Sequence, residues 1–296
     1  MGNAVFEMVK YHNQEYPQGI PLHYEEIAAH FDVSSITPQM PYSLHTEYSY
    51  GKRNLTSNLL TGLDELKNSN KNGIPQLWKS KKWSSEFAEY IVRLANGFDF
   101  PRIIEIHPSF SDYTENLNVF VERYKMFEAR ITNTFPKTEI LIENRCGSVY
   151  QGGKFILSKM DSILSLSQLI DEYKLKLRFA LDFPQLFTAH DISLKNSDKY
   201  SELVNELKTI RHNIAGVHLW GKRKSDTGRK VAHCGDLNSY FEYDDKSKNE
   251  FLESFIELFN DNVVRKLVLE VNSSNDDLLS IIADLQNRNI QLVKSS

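Results

Sequence analysis

The sequence predicts an α/β protein built as a single TIM-type (β/α)8 barrel, with an irregular N-terminus or a missing first strand. Three observations carry this. Short apolar runs alternate with helical stretches, the pattern of a parallel sheet. Six of those runs stop on a His, Asp or Glu: Tyr42-Ser43-Leu44-His45, Ile103-Ile104-Glu105-Ile106-His107, Ile140-Leu141-Ile142-Glu143, Phe179-Ala180-Leu181-Asp182, Ala215-Gly216-Val217-His218 and Leu267-Val268-Leu269-Glu270. No linker, repeat or low-complexity tract interrupts the 296 residues, so 1–296 reads as one domain, close to the roughly 250 residues such a barrel takes.

The elements follow in order. Ala4–His12 and Tyr24–His30 have helical character, and Pro17, Gly19 and Pro21 punctuate the gap between them. No convincing strand precedes the one at 42–46. Helical sequence around Leu55–Lys67 comes next, then a polar loop rich in Asn and Lys, then a helix near Ser84–Ala95. The strand at 102–107 leads into Glu115–Asn133, where Leu117, Phe120, Val121, Tyr124, Phe127 and Ile131 recur at helical spacing. Strands at 139–143, 177–182, 214–219 and 266–271 each precede a helix, at 163–173, 200–210, 248–259 and 275–286. The last begins at a Ser273-Ser274-Asn275-Asp276 cap. Ile290–Val293 is a short closing strand.

In a parallel barrel the C-terminal ends of the strands share one face, and that face carries the active site. A buried strand ending on a charge is costly unless the charge is paired or bound to a cation. Glu143, Asp182, His218 and Glu270 make a carboxylate–imidazole shell for one divalent ion. His45 and His107 reach a second, with Glu143 as the bridge. Two such ions about 3.5–4 Å apart suit phosphodiester hydrolysis. A lone His at a strand end is more often a hydrogen-bonded structural residue, and a lone acid there can cap the next helix. Six together favour a metal site. His233, in Val231-Ala232-His233-Cys234-Gly235-Asp236, is a further ligand or a substrate contact. Lys222-Arg223-Lys224, with Arg229 and Lys230, is either a phosphate clamp beyond His218 or a solvated basic loop. Lys79-Ser80-Lys81-Lys82, between Trp78 and Trp83, reads as surface.

Composition narrows the class. Hydrophobic residues make up 41% and the formal charge is −4, so a sizeable core forms and no global positive field attracts nucleic acid. Only Cys146 and Cys234 are present, which fits a reducing compartment rather than a disulfide scaffold. No signal segment opens the chain. No apolar run approaches the roughly 20 residues that cross a bilayer. These features point to a cytoplasmic protein without a membrane partner.

The residues resemble a known family. Ile142-Glu143-Asn144-Arg145-Cys146-Gly147, followed by Gly152-Gly153-Lys154-Phe155, is similar to the Glu-Asn-x-x-Gly segment and later Gly of the endonuclease IV branch (apurinic endonuclease family 2) of the xylose isomerase-like barrel superfamily. His107-Pro108-Ser109 resembles that family's His-Pro-Gly-Ser strand end. His45-Thr46-Glu47-Tyr48 resembles its His-x-x-Tyr, and Leu181-Asp182-Phe183-Pro184-Gln185 its Asp-x-x-His. The resemblance runs from about residue 40 to 275. It implies that His45, His107 and Glu143 hold one ion. Glu143, Asp182, His218 and Glu270 would hold a second, with Glu143 bridging. Gln185 stands where the family has a His ligand and Val231 where it has an Asp. Both belong to a third metal site, of which His233 alone remains, so the resemblance implies two ions rather than three.

The expectation is a metal-dependent hydrolase that cleaves a phosphodiester in abasic DNA or another phosphorylated substrate, with Zn²⁺, Mn²⁺ or Fe²⁺. Glu143 and Glu270 are the catalytic carboxylates. Tyr48, Arg145, Gln185, Lys222 and Arg223 are the candidate substrate contacts. The alternative is a sugar or sugar-phosphate isomerase or epimerase, in which Glu143 and Glu270 shuttle a proton beside one ion. That chemistry does not require the His45–His107 pair. A third reading is a degenerate barrel that binds a partner without turnover.

Overall fold

Residues 2–12, 14–147, 149–150, 153–192 and 198–294 are described in a computed structural model. Gly152, part of the Gly-containing segment above, lies outside them. Eight strands form the main sheet: β1 (Val5–Lys10), β2 (Leu22–Ala29), β3 (Tyr42–Thr46), β4 (Ile103–Ile106), β5 (Glu139–Glu143), β6 (Leu177–Asp182), β7 (Ile214–Leu219) and β8 (Val264–Leu269). They neighbour one another in chain order, and β8 also pairs with β1. The sheet therefore closes as a (β/α)8 barrel. The short strand Gln291–Leu292 adds to β1 in parallel, as the closing segment predicts.

The N-terminal expectation is corrected. Ala4–His12 and Tyr24–His30 are not helical, and no first strand is missing. β1 pairs in parallel with β8 over five positions, from Val5↔Val264 to Val9↔Val268. A six-residue apolar run cannot be told from a helix fragment by periodicity alone. The long-range pairing decides it, and Phe6 and Met8 are fully buried as a result. In β2 the helix-favouring Glu25-Glu26-Ile27-Ala28-Ala29 is overridden by its register with β3, Glu25↔Tyr42 through Ala29↔Thr46.

The helices are α1 (Asp64–Asn68), α2 (Lys81–Leu94), α3 (Leu117–Thr134), α4 (Met160–Tyr173), α5 (Phe183–Ala189), α6 (Asp198–Thr209), α7 (Leu237–Tyr240), α8 (Asp245–Phe259) and α9 (Asn275–Asn287). The helix expected over Leu55–Lys67 is instead a 3-10 turn, Asn58–Leu60, and the short α1. Gly62 between them has φ +77°, a left-handed conformation that ends a helix. Side-chain caps start the long helices: Ser80 accepts from the amide of Trp83, Asn116 from Val119 and Ser274 from Asp277. No helix among the described residues is long and apolar enough to cross a membrane.

By packing, the chain divides into two compact units, Met1–Tyr24 with Ala180–Ser296, and Glu25–Phe179. In Glu25–Phe179 the core between α2 and α3 is aromatic. Trp78 sits 5.4–5.6 Å from Trp83, Phe87 and Phe127. In the other unit Phe6 of β1 packs on Phe255 and Phe259 of α8, each at 5.6 Å. Such pairs contribute about 0.5–1.5 kcal/mol each beyond the area they bury.

Candidate metal centre

In the unit Glu25–Phe179 three neighbouring strands deliver one buried cluster. His45 is in β3, Glu105 in β4, His107 just past β4, and Glu143 ends β5. Nε2 of His107 lies 3.1 Å from Nε2 of His45 and 2.9 Å from Oε2 of Glu143. Nε2 of His45 is 3.6 Å from both that Glu143 oxygen and Oε1 of Glu105. One ligand atom from each of the four side chains lies within 4.8 Å of all the others.

The donors are held in place from outside. His107 Nδ1 contacts the backbone carbonyl of Glu47 at 3.2 Å. A carbonyl only accepts, so Nδ1 is the protonated nitrogen and Nε2 presents its lone pair to the cluster. Burial pushes the His107 imidazole down to about 4, so it is neutral at ordinary pH. Burial alone would push the carboxyl of Glu143 up. Arg145, then His107 and His45, override that and hold it well below the usual carboxylate range. Nε2 of His107 and an oxygen of Glu143 face each other at 2.9 Å. Two imidazoles with two carboxylates at this spacing are a suitable donor set for a divalent cation. His45 is pushed down by burial, but Glu26, Glu143 and Glu105 around it lift it to about 9.

The rest of the ring is fixed as well. The indole of Trp78 donates to the backbone carbonyl of His107 at 2.6 Å. Arg145 donates to Oε1 of Glu143 at 3.0 Å, so one oxygen of the expected bridging carboxylate carries a guanidinium. Tyr48 is half-buried, with its ring 6.0 Å from that of His45 and 5.8 Å from that of His107.

In the unit Met1–Tyr24 with Ala180–Ser296, the remaining candidates meet less tightly. Nδ1 of His218 is 2.7 Å from Oε1 of Glu270, and Nδ1 of His233 is 2.9 Å from Oε2. Burial alone would raise the Glu270 carboxyl. His218 and His233 outweigh it and hold the group well below its ordinary range. Asp182 accepts from the amide of Gln185 at 2.9 Å, from the Gln185 side chain at 2.8 Å and from the indole of Trp220 at 2.9 Å. The ring of Trp220 stacks on His233 at 4.4 Å. Among the described residues, no three of Asp182, His218, His233 and Glu270 bring ligand atoms within 4.8 Å of one another.

The basic segment is a hairpin, Lys222–Lys224 against Lys230–Ala232. Lys222 donates to the Thr188 hydroxyl at 2.9 Å and sits over the rings of Trp220 and Tyr240. Arg223 donates to Asp277 at 2.6 Å, near the start of α9. Its charge is matched within the protein.

Sequence reading missed three residues around the first cluster. Glu105 and Glu26 lie inside strands and are 3% and 4% exposed. Glu47 is fully buried, accepting from the amide of Ser49 at 2.9 Å and from Arg53 at 2.8 Å. The signal available for Glu105 was a charge in the middle of an otherwise apolar run.

No family model and no curated protein matches the sequence. Solved structures align with its fold. The AsfvAP:AG crystal structure aligns over 97% of this chain and 99% of its own, at 12% identity and a TM-score of 0.58. A D-tagatose 3-epimerase-like protein aligns over 96% and 98%, at 13% identity and a TM-score of 0.48. An AP endonuclease, family 2, from Brucella melitensis aligns over 96% and 97%, at 9% identity and a TM-score of 0.45. At such identity the likeness shows the fold alone.

Proposed function

We propose that this protein is a metal-dependent phosphodiesterase. His45, His107 and Glu143 hold one divalent cation. The observation that carries the reading is the convergence of His45 and His107 on one oxygen of Glu143, with Nε2 of His107 3.1 Å from its neighbour and 2.9 Å from the carboxylate. Sugar isomerisation has no use for that histidine pair. The bound cation would supply Lewis-acid stabilisation of phosphoryl oxygens and acidify water.

The protein's own groups prepare the site. His107 keeps its ligating nitrogen unprotonated by donating through Nδ1 to Glu47. Arg145 fixes the orientation of Glu143. Gln185 and Trp220 fix that of Asp182, and His233 supports Glu270. Lys222 contacts a substrate phosphate. Arg223 does not, because Asp277 already holds it. Tyr48, whose ring stacks 6.0 Å from that of His45, contacts the substrate.

The test is a paired assay with Mn²⁺ on abasic-site duplex DNA and on bis(p-nitrophenyl) phosphate, beside ketose and sugar-phosphate substrates. The reading expects phosphodiester cleavage that His45→Ala and His107→Ala each abolish. Isomerase activity that survives both changes would replace it with the sugar reading. Tight DNA binding without turnover would replace it with the binding-only reading.

A further inference from the structure

We infer that Glu105 is a fourth ligand of the cation held by His45, His107 and Glu143, and that it decides which metal can work there. The inference rests on the metal reading above. Glu105 sits mid-strand in β4, and its backbone is the direct register partner of His45 in β3. Glu105 and His107 both offer a ligand atom to the same cluster, within 4.8 Å of those of His45 and Glu143. Oε1 of Glu105 is 3.6 Å from Nε2 of His45.

The spacing fits ligation. Metal–donor bonds of about 2.1 Å put neighbouring donors roughly 3.0 Å apart in an octahedron and roughly 3.4 Å apart in a tetrahedron. The contacts here are 2.9, 3.1, 3.6 and 3.6 Å. Glu26 is the second extra carboxylate near His45, but it faces the ring's other nitrogen, Nδ1, at 3.9 Å. It can orient the imidazole and cannot share its cation.

Two imidazole ligands and two carboxylates balance a divalent charge. Four protein donors also saturate a tetrahedral ion such as Zn²⁺, which makes a closed site. An ion that takes six donors, such as Mn²⁺, keeps two positions open. Glu105 thus lets Zn²⁺ bind tightly without reacting and reserves turnover for the six-coordinate metal.

The test uses Co²⁺ as an optical probe of the full chain. The His107→Ala variant identifies which visible bands belong to this site. Those bands shift in Glu105→Gln, and also in Glu105→Asp, which keeps the charge but shortens the reach. They stay in place in Glu26→Gln. Zn²⁺ affinity, read by chelator competition, falls at least tenfold in Glu105→Gln. Bands in Glu105→Gln that superimpose on the wild type, with Zn²⁺ affinity within twofold, overturn the fourth ligand and leave the three-residue site standing. A wild type with no bands that His107→Ala removes overturns both.

Discussion

Arg145 and Glu143 form a divided carboxylate. Nη1 of Arg145 donates to one oxygen at 3.0 Å, while the other oxygen stands 2.9 Å from Nε2 of His107. Arg145 is itself 9% exposed, and its guanidinium lies 4.8 Å from the ring of Tyr50 and 5.6 Å from that of Phe155. Packing therefore sets the Arg, and the Arg sets the ligand.

Arg145→Met keeps most of the stem and removes the donor. The change weakens Mn²⁺ binding by about 10–100-fold, the usual effect of losing a group that orients a ligand. Titration calorimetry reads it directly. Affinity unchanged from wild type would mean that Glu143 needs no such support.

Trp78 acts one step further out. It is fully buried with φ +58°, its indole holds the carbonyl of His107, and its own carbonyl accepts from Arg123. Trp78→Phe leaves the His107 carbonyl without that donor and opens a cavity in the aromatic core. The expected cost is about 3 kcal/mol of stability, seen as a lower urea midpoint with unchanged slope. A midpoint equal to wild type would contradict it.

These two residues show what the sequence could and could not say. His45, His107 and Glu143 were legible because an apolar run that stops on a ligand-type side chain is visible without knowing the pairing. Asp182, His218 and Glu270 end their runs in the same way, but among the described residues their donors do not gather within 4.8 Å of one another. β1 was not legible. Its six residues carry no decisive period, and the five-position register with β8 comes from the far end of the chain. The support from Trp78 was invisible for a similar reason: it reaches His107 across 29 positions. Arg223 read as a phosphate clamp by position, and only the fold reveals its partner Asp277.

A pH prediction follows from Asp261 and Arg265. Arg265 is 1% exposed and donates through Nη1 and Nη2 to the two Asp261 oxygens, each at 2.8 Å. Burial alone would raise the Asp261 carboxyl, but its hydrogen bonds to Arg265 and the amide of Val263 hold it below the usual range. A depressed folded-state pKa stabilises fully above the unfolded value, about 3.9, and the gain is lost as pH falls through the folded value. Asp261→Asn should therefore cost about 3 kcal/mol at pH 7, with the gap to wild type constant down to about pH 5 and narrowing below 4. Urea unfolding across that range checks it. A gap that does not change with pH would assign the cost to shape rather than charge.

The central claim is that His45, His107 and Glu143 hold a metal ion that the reaction needs. Elemental analysis of protein purified without added metal or chelator, beside a His45→Ala/His107→Ala double variant, tests it most directly. The expected result is one equivalent of divalent metal fewer in the variant than in the wild type. Equal metal content in the two proteins would contradict the claim.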